Sequence, residues 1–345
     1  MITGPNGAGK TNLLEAVSLL GPGRGLRGAR IGEFARIGPD GDGTWAVAGR
    51  LQHPIEGPLE IATGTAAEGP AERRVFRVDG RPAFQAAAGR RIAMVWLTPE
   101  MGRLFQEGAA ERRRFLDRLV YALEAGHARE LAAYETAMAG RNRLLSGPEP
   151  DPAWLAGLED AMARHGVAVA AARSLLIAAL ARALPKAAAG LPPIDLALAC
   201  PISERLATRP ALAVEEWLAG QLAARRRADR EAGSAGLGVH RSDLVMRIEP
   251  GGMPVKRAST GEQKAVLLSL VLAQAALLAE QRGFAPLVLL DEPLASLDGA
   301  RRMAVLAILA AGDCQVLLTG TEAESFRPLA PHAEFLRAGD GRLVA

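Results

Sequence analysis

Eight residues near the start constrain the fold more than any other stretch. Gly4-Pro5-Asn6-Gly7-Ala8-Gly9-Lys10-Thr11 fits the pattern GxxxxGK[ST] at every fixed position. Glycines let backbone N–H groups curl around phosphate oxygens with no Cβ in the way. Lys10 supplies a compact cation for the β- and γ-phosphates of a nucleotide such as ATP, and the Thr11 hydroxyl is a hard oxygen ligand suited to Mg²⁺. A helix from Asn12 to about Leu20 would point its positive end at the same phosphates. Residues Gly4 to Asn12 are therefore the candidate nucleotide-binding segment. Such a loop normally follows a full buried strand, yet only Met1-Ile2-Thr3 precede it. That shortfall is what a chain lacking its N-terminal segment would show, and missing strands would leave a sheet edge exposed.

Three regions differ in texture. In residues 1–98, Thr44–Leu51, Leu59–Thr63 and Arg74–Val78 read as strands, with Asp79-Gly80 as a turn. Ile92–Leu97 reads as a buried strand. Residues 99–234 read as helices, with Phe115, Leu116, Leu119, Val120 and Leu123 at helical spacing. A second helix is expected over His127–Leu145, a long one ending near Leu184 before Pro185, and another over Ala213–Ala232; no strand signal stands out here. Residues 235–345 return to alternating strands and helices, which implies a parallel sheet. The simplest architecture is one ATPase head built from 1–98 and 235–345, with 99–234 inserted as a helical arm.

A matching acidic strand lies in the third region. Pro286-Leu287-Val288-Leu289-Leu290-Asp291-Glu292 is an apolar run ending in two carboxylates, the Walker B pattern. Asp291 would hold Mg²⁺ together with Thr11, and Glu292 would position or deprotonate the attacking water. With Lys10, these two are the candidate catalytic residues. Ser259-Thr260-Gly261-Glu262-Gln263, ahead of an apolar helix, resembles the signature of ABC-family ATPases, which completes the site of a second subunit in trans. A Ser or Thr followed by Glu is also an ordinary helix cap, although that alone does not account for its place shortly before the acidic strand. Ala295-Ser296-Leu297-Asp298 resembles the D-loop of the same family, with Asp298 at the dimer interface. The family's Q-loop glutamine is replaced by Leu97-Thr98-Pro99-Glu100 and its switch histidine by Thr319-Gly320-Thr321. Both departures weigh against a transporter ATPase.

Composition narrows partners and compartment. Hydrophobic residues at 49% and charged residues at 23% suit a packed protein, and aromatics at 4% offer no stacking platform for single strands. The net charge of +3 permits a nucleic-acid partner without demanding one. Cys200 and Cys314 stand far apart, without metal-ligand spacing, as in a reducing cytosol. The longest apolar run, Ala265–Ala279, falls short of the ~20 residues of a membrane span. A cytoplasmic protein without a membrane partner is expected.

Further segments resemble the RecF family. They are Pro99-Glu100 followed by Arg112-Arg113-Arg114-Phe115-Leu116-Asp117, then Tyr134, Arg141-Asn142-Arg143-Leu144-Leu145, Gly238-Val239-His240-Arg241-Ser242-Asp243-Leu244, Ser-Thr-Gly-Glu-Gln-Lys at 259–264 and Thr-Gly-Thr at 319–321. The resemblance implies an α/β P-loop NTPase of ABC/SMC-head type with an inserted α-helical arm. It also implies a weak ATPase that binds double-stranded or gapped DNA and dimerises on ATP. The family's work is recombinational and replication-gap repair in the SOS response, with RecR, RecO and RecA as partners. A head reduced to a non-catalytic DNA- or RecR-binding module is the alternative. Arg112, Arg113 and Arg114 are either DNA phosphate contacts or the solvated face of a helix. His240 and Arg241 read as structural, and Arg225-Arg226-Arg227 as a solvated face.

Overall fold

The computed structural model describes residues 1–21, 23–35, 43–66, 74–339 and 342–344. In chain order the first elements are β1 (Ile2–Thr3), α1 (Lys10–Leu19), β2 (Ala46–His53), β3 (Gly57–Thr65), β4 (Arg74–Val78), β5 (Arg81–Ala83), α2 (Gln85–Arg91) and β6 (Met94–Leu97). Next come α3 (Ala109–Leu123), α4 (His127–Leu145), α5 (Pro152–Ala187), β7 (Ile194–Ala199), α6 (Pro201–Leu206), α7 (Ala211–Ala224), α8 (Arg226–Ala232), β8 (Asp243–Ile248) and β9 (Met253–Pro254). The chain then forms α9 (Thr260–Arg282), β10 (Leu287–Leu290), α10 (Gly299–Ala311), β11 (Val316–Gly320), β12 (Leu336–Gly339) and β13 (Arg342–Val344). It divides into two units, one of Met1–Gly102, Lys186–Leu191 and Thr260–Ala345, the other of Arg103–Pro185 and Pro192–Ser259.

The first unit holds a sheet in the order β13-β12-β1-β11-β10-β6, parallel except for β12 against β13. The short β1 is not at an edge. Ile2 lies opposite Thr319 on one side and Leu336 on the other, so both faces of its backbone are paired. The sheet ends elsewhere, at β6, whose residues are mostly buried, and at β13. A second, antiparallel sheet runs β2-β3-β4-β5. Helix α1 is fixed by two apolar clusters: Leu14 joins Ile2, Leu26, Leu289 and Ala338, while Val17 and Leu20 join Ile61, Phe76, Ile92 and Met94. Each such side chain, fully buried, stabilises by roughly 1.5–3 kcal/mol, and together they hold the loop before α1 in place.

Helix α9 is apolar on all sides because its environment is. It is long and apolar enough to cross a membrane, but 72% of its most apolar stretch is buried inside the protein.

The second unit packs α4, α5, α6 and α7 around Tyr134, Met162, Val169, Ile202, Leu218 and Leu222. Helix α4 has the span expected of it, His127–Leu145. Four expectations need correction. Ile194–Ala199 is a strand, not part of an all-helical stretch, and it pairs antiparallel with β8 over six residues. That pairing draws 235–259 into this unit, so its boundary lies later than residue 234. Helix α5 passes through Pro185, whose missing N–H removes one bond from the last turn, and stops two residues on. Ala213–Ala232 is broken at Arg225, which leaves ideal helical angles at φ −90° and ψ −1°.

Two buried arginines organise this unit. The Arg141 guanidinium donates to Glu159 (3.0 Å), Asp229 (2.8 Å) and the Leu222 carbonyl (2.7 Å). Arg173 donates twice to Asp117 at 2.8 Å, and also to the Val239 carbonyl and the Ser242 hydroxyl. Burial alone would raise the Asp117 pKa, but the bonds from His127 and Arg173 outweigh it and hold it below the usual carboxylate range. Arg226 is not on a solvated face: it donates to both oxygens of the buried Glu159.

Candidate nucleotide site

The first unit brings the phosphate loop and the acidic strand together through strand order. β11 lies between β1 and β10, so the ends of the three strands converge. Gly4 (φ +152°) passes so close to β12 that a Cβ would collide with the Ala338 carbonyl. Gly7 (φ +83°) and Gly9 (φ +86°) adopt the left-handed region that only glycine enters freely. Lys10, 6% exposed, curls its ammonium back under the loop to donate to the Gly4 (2.7 Å) and Pro5 (2.9 Å) carbonyls.

Asp291 is buried and held from both sides. The Thr11 hydroxyl donates to Oδ2 at 2.8 Å, and the Thr319 hydroxyl donates to Oδ1 at 2.5 Å. Glu292 follows with φ +48°, a strained conformation for a residue with a Cβ, and its N–H donates to Thr319 Oγ1 at 3.0 Å. A cavity of about 210 Å³ opens beside it, lined in part by Glu292, Thr319, Thr321, Glu322 and Ser325, with room for water. One hydroxyl and one buried carboxylate are the hard oxygen set that Mg²⁺ accepts when phosphates supply further ligands. Among the described residues no group of three or more His, Cys, Asp or Glu could hold a metal without such help. The residues present thus fit a Mg²⁺-nucleotide.

The signature residues touch the segment after the acidic strand. A Cβ on Gly261 would lie 2.5 Å from the Ser296 carbonyl, so only glycine allows this approach. Arg301 bridges Glu262 (3.3 Å) and Asp298 (2.7 Å), and Asp298 caps α10 by accepting the Arg301 N–H. Lys264 donates to the Glu292 carbonyl. Burial pushes its pKa down, against the pull of Glu292 and Asp291. Ser259 and Thr260 are exposed, while Gly261 and Gln263 are buried. Glu100, in the place of a Q-loop glutamine, is exposed.

Sequence reasoning singled out neither Thr319 nor Lys264 for a role. A threonine closing an apolar strand is unremarkable until its partner is known. The arginine cluster also differs from expectation. Arg112 grips both oxygens of Asp243 and Arg113 donates to the Ser242 carbonyl, so these two serve the second unit's own packing. Arg114 stays exposed beside Glu111. His240 is structural: Nε2 donates to the Ala235 carbonyl (2.9 Å), leaving Nδ1 to accept from the Tyr134 hydroxyl (2.6 Å). Burial lowers its pKa.

No family model matches the chain. Curated relatives do. It is 46% identical to the DNA replication and repair protein RecF of Mesorhizobium japonicum, over 99% of this chain and 90% of that protein. It is 42% identical to the RecF of Brucella suis, over 100% of this chain and 89% of that protein. The chain belongs to the RecF family of DNA replication and repair proteins. The fold agrees with RecF structures: that of the recombination mediator protein RecF with ATP superposes with a TM-score of 0.81 at 23% identity, covering 100% of this chain and 92% of that one. The Smc head of Pyrococcus furiosus with an extended coiled coil, bound to the C-terminal domain of ScpA, gives 0.53 at 17% identity, covering 99% and 88%. The fold is thus that of an ABC/SMC-type P-loop head.

Proposed function

We propose that this member of the RecF family is a cytoplasmic ATP-dependent switch: it binds Mg-ATP, pairs with a second copy, and hydrolyses the nucleotide slowly to separate again. The observation that carries this reading is the 2.8 Å bond between Thr11 and Asp291, which joins two motifs 280 residues apart in sequence. Lys10 binds the β- and γ-phosphates, and Thr11 and Asp291 hold Mg²⁺. When bound, the ion neutralises charge developing on the phosphates. Glu292 orients the attacking water and takes its proton. Ser259 and Gly261 of the other copy close over the γ-phosphate, with Thr260, Glu262 and Gln263 completing the signature and Asp298 at the interface.

The solved relatives are described as acting in the RecFOR pathway, and one of them holds ATP. By that likeness, DNA, double-stranded or gapped, is the partner of the paired state, and RecR, RecO and RecA are its associates in repair. Of the three clustered arginines, Arg114 is the one left for DNA phosphates, in contacts that weaken with salt. The reading of the head as a non-catalytic module is disfavoured by a phosphate loop that keeps Gly7 and Gly9 in the left-handed region and joins Thr11 to Asp291. Sedimentation of wild type and Lys10→Met, with and without ATP, tests the switch. The wild type should shift from monomer to dimer and the variant should not; a variant that pairs as well as the wild type would undo it.

A further inference from the structure

We propose that Thr319 is a positioning residue of the metal site: its hydroxyl sets the rotation of the Asp291 carboxylate and so aims Oδ2 at the metal and the phosphate loop. This rests on the Mg-ATP reading above. Thr319 is fully buried at the end of β11, the strand wedged between those that carry the phosphate loop and the acidic pair. Ile2 is its neighbour in the ladder on one side, and the residue before it, Leu318, pairs with Leu290 on the other. From there its one hydroxyl makes two bonds with fixed polarity. It donates to Asp291 Oδ1 at 2.5 Å and accepts from the Glu292 N–H at 3.0 Å. A hydroxyl has a single proton, and here that proton is spent on Asp291.

The two threonines divide the carboxylate between them. Thr11 belongs to the loop that meets phosphate, and its 2.8 Å bond to Oδ2 marks the side where a cation would be shared. Thr319 comes from the sheet and touches the other oxygen. A carboxylate turns about its terminal bond with little resistance, since that torsion is broad. With Oδ1 tied to the sheet, the turn is stopped and Oδ2 stays toward Thr11. The same hydroxyl receives the N–H of Glu292, which sits at φ +48°, so it also helps to hold a backbone conformation that a side-chain-bearing residue resists. Thr319 is committed at both ends to Asp291 and Glu292. It acts through them and not on the nucleotide itself.

A merely structural hydroxyl would affect folding and leave metal affinity alone, so the decisive readout is metal binding. Thr319→Val keeps the shape and deletes the hydroxyl; Thr319→Ala deletes both; Thr319→Ser restores the hydroxyl. Each full-length variant is checked by circular dichroism and thermal melting. A fluorescent ATP analogue is then titrated without metal, and Mn²⁺ binding to the nucleotide complex is followed by electron paramagnetic resonance. Expected are unchanged metal-free nucleotide affinity in every variant, a roughly tenfold weaker Mn²⁺ affinity in Val and Ala, equal to about 1.4 kcal/mol, and recovery to within about twofold in Ser. Wild-type Mn²⁺ affinity in a folded Val or Ala variant would overturn the proposal while leaving nucleotide binding intact. Failure of both to fold would make the hydroxyl a structural bond and overturn it too. A wild type that binds no nucleotide would overturn this proposal and the Mg-ATP reading together.

Discussion

The two units bury polar groups in opposite ways. In the second, Arg141 and Arg173 have donors aimed at carboxylates and carbonyls, and the carboxylates are matched in turn: Asp229 also accepts the Gly236 N–H, and Glu159 also takes Arg226. In the first, Asp291 and Lys10 are also buried, but their partners are neutral: Asp291 meets two hydroxyls and Lys10 two loop carbonyls, and of these the Thr11 hydroxyl and the carbonyls are groups that can give way to a metal or a phosphate. Full ionic matching marks architecture, and weak neutral matching of a buried charge marks a place prepared for chemistry.

Three substitutions sharpen that contrast. The largest effect is expected from Arg141→Met, which takes the buried cation from between Glu159 and Asp229. Removing one partner of a buried ionic group costs about 3–5 kcal/mol, so denaturant unfolding should show a large loss of stability. A loss below about 1 kcal/mol would refute the architectural role. Next is Glu292→Gln, which leaves the fold and nucleotide binding in place but lowers hydrolysis by roughly 10²- to 10⁴-fold and lets ATP-bound dimers accumulate. Normal turnover would remove Glu292 from the general-base role. The smallest effect concerns His240. Its folded pKa lies below its unfolded value of 6.5, so its contribution is complete above pH 6.5 and fades as pH falls toward the folded value. Melting temperatures of wild type and His240→Asn from pH 7 to 5 should converge as pH drops, with a gap at pH 7 of no more than about 1 kcal/mol from the lost Tyr134 bond. A gap that widens toward pH 5 would contradict the assignment.

How far the sequence could be read follows the range of the interaction. Phosphate loop, acidic strand and signature were legible because their chemistry demands particular residues at short spacing. Helix α3 was legible because 3.6-residue periodicity is local. Strand β7 was not: Ile194-Asp195-Leu196-Ala197-Leu198-Ala199 is alanine-rich, and its strand character is conferred by β8, about fifty residues later. Arg226 looked solvated because a run of three arginines reports charge and says nothing of Glu159, 67 residues earlier. Thr319 could be seen to replace a histidine, but its grip on Asp291 belongs to the sheet and not to any motif.

Strand β1 carries a consequence for biosynthesis. Its two residues are clamped by Thr319–Gly320 and Leu336–Arg337, more than 300 positions downstream. At roughly 5–20 residues per second of translation, the phosphate loop waits on the order of tens of seconds for the strands that seat it. A nascent chain therefore cannot seat that loop until β11 and β12 have emerged, and any pairing that ATP drives is confined to heads in which those two strands have already left the ribosome.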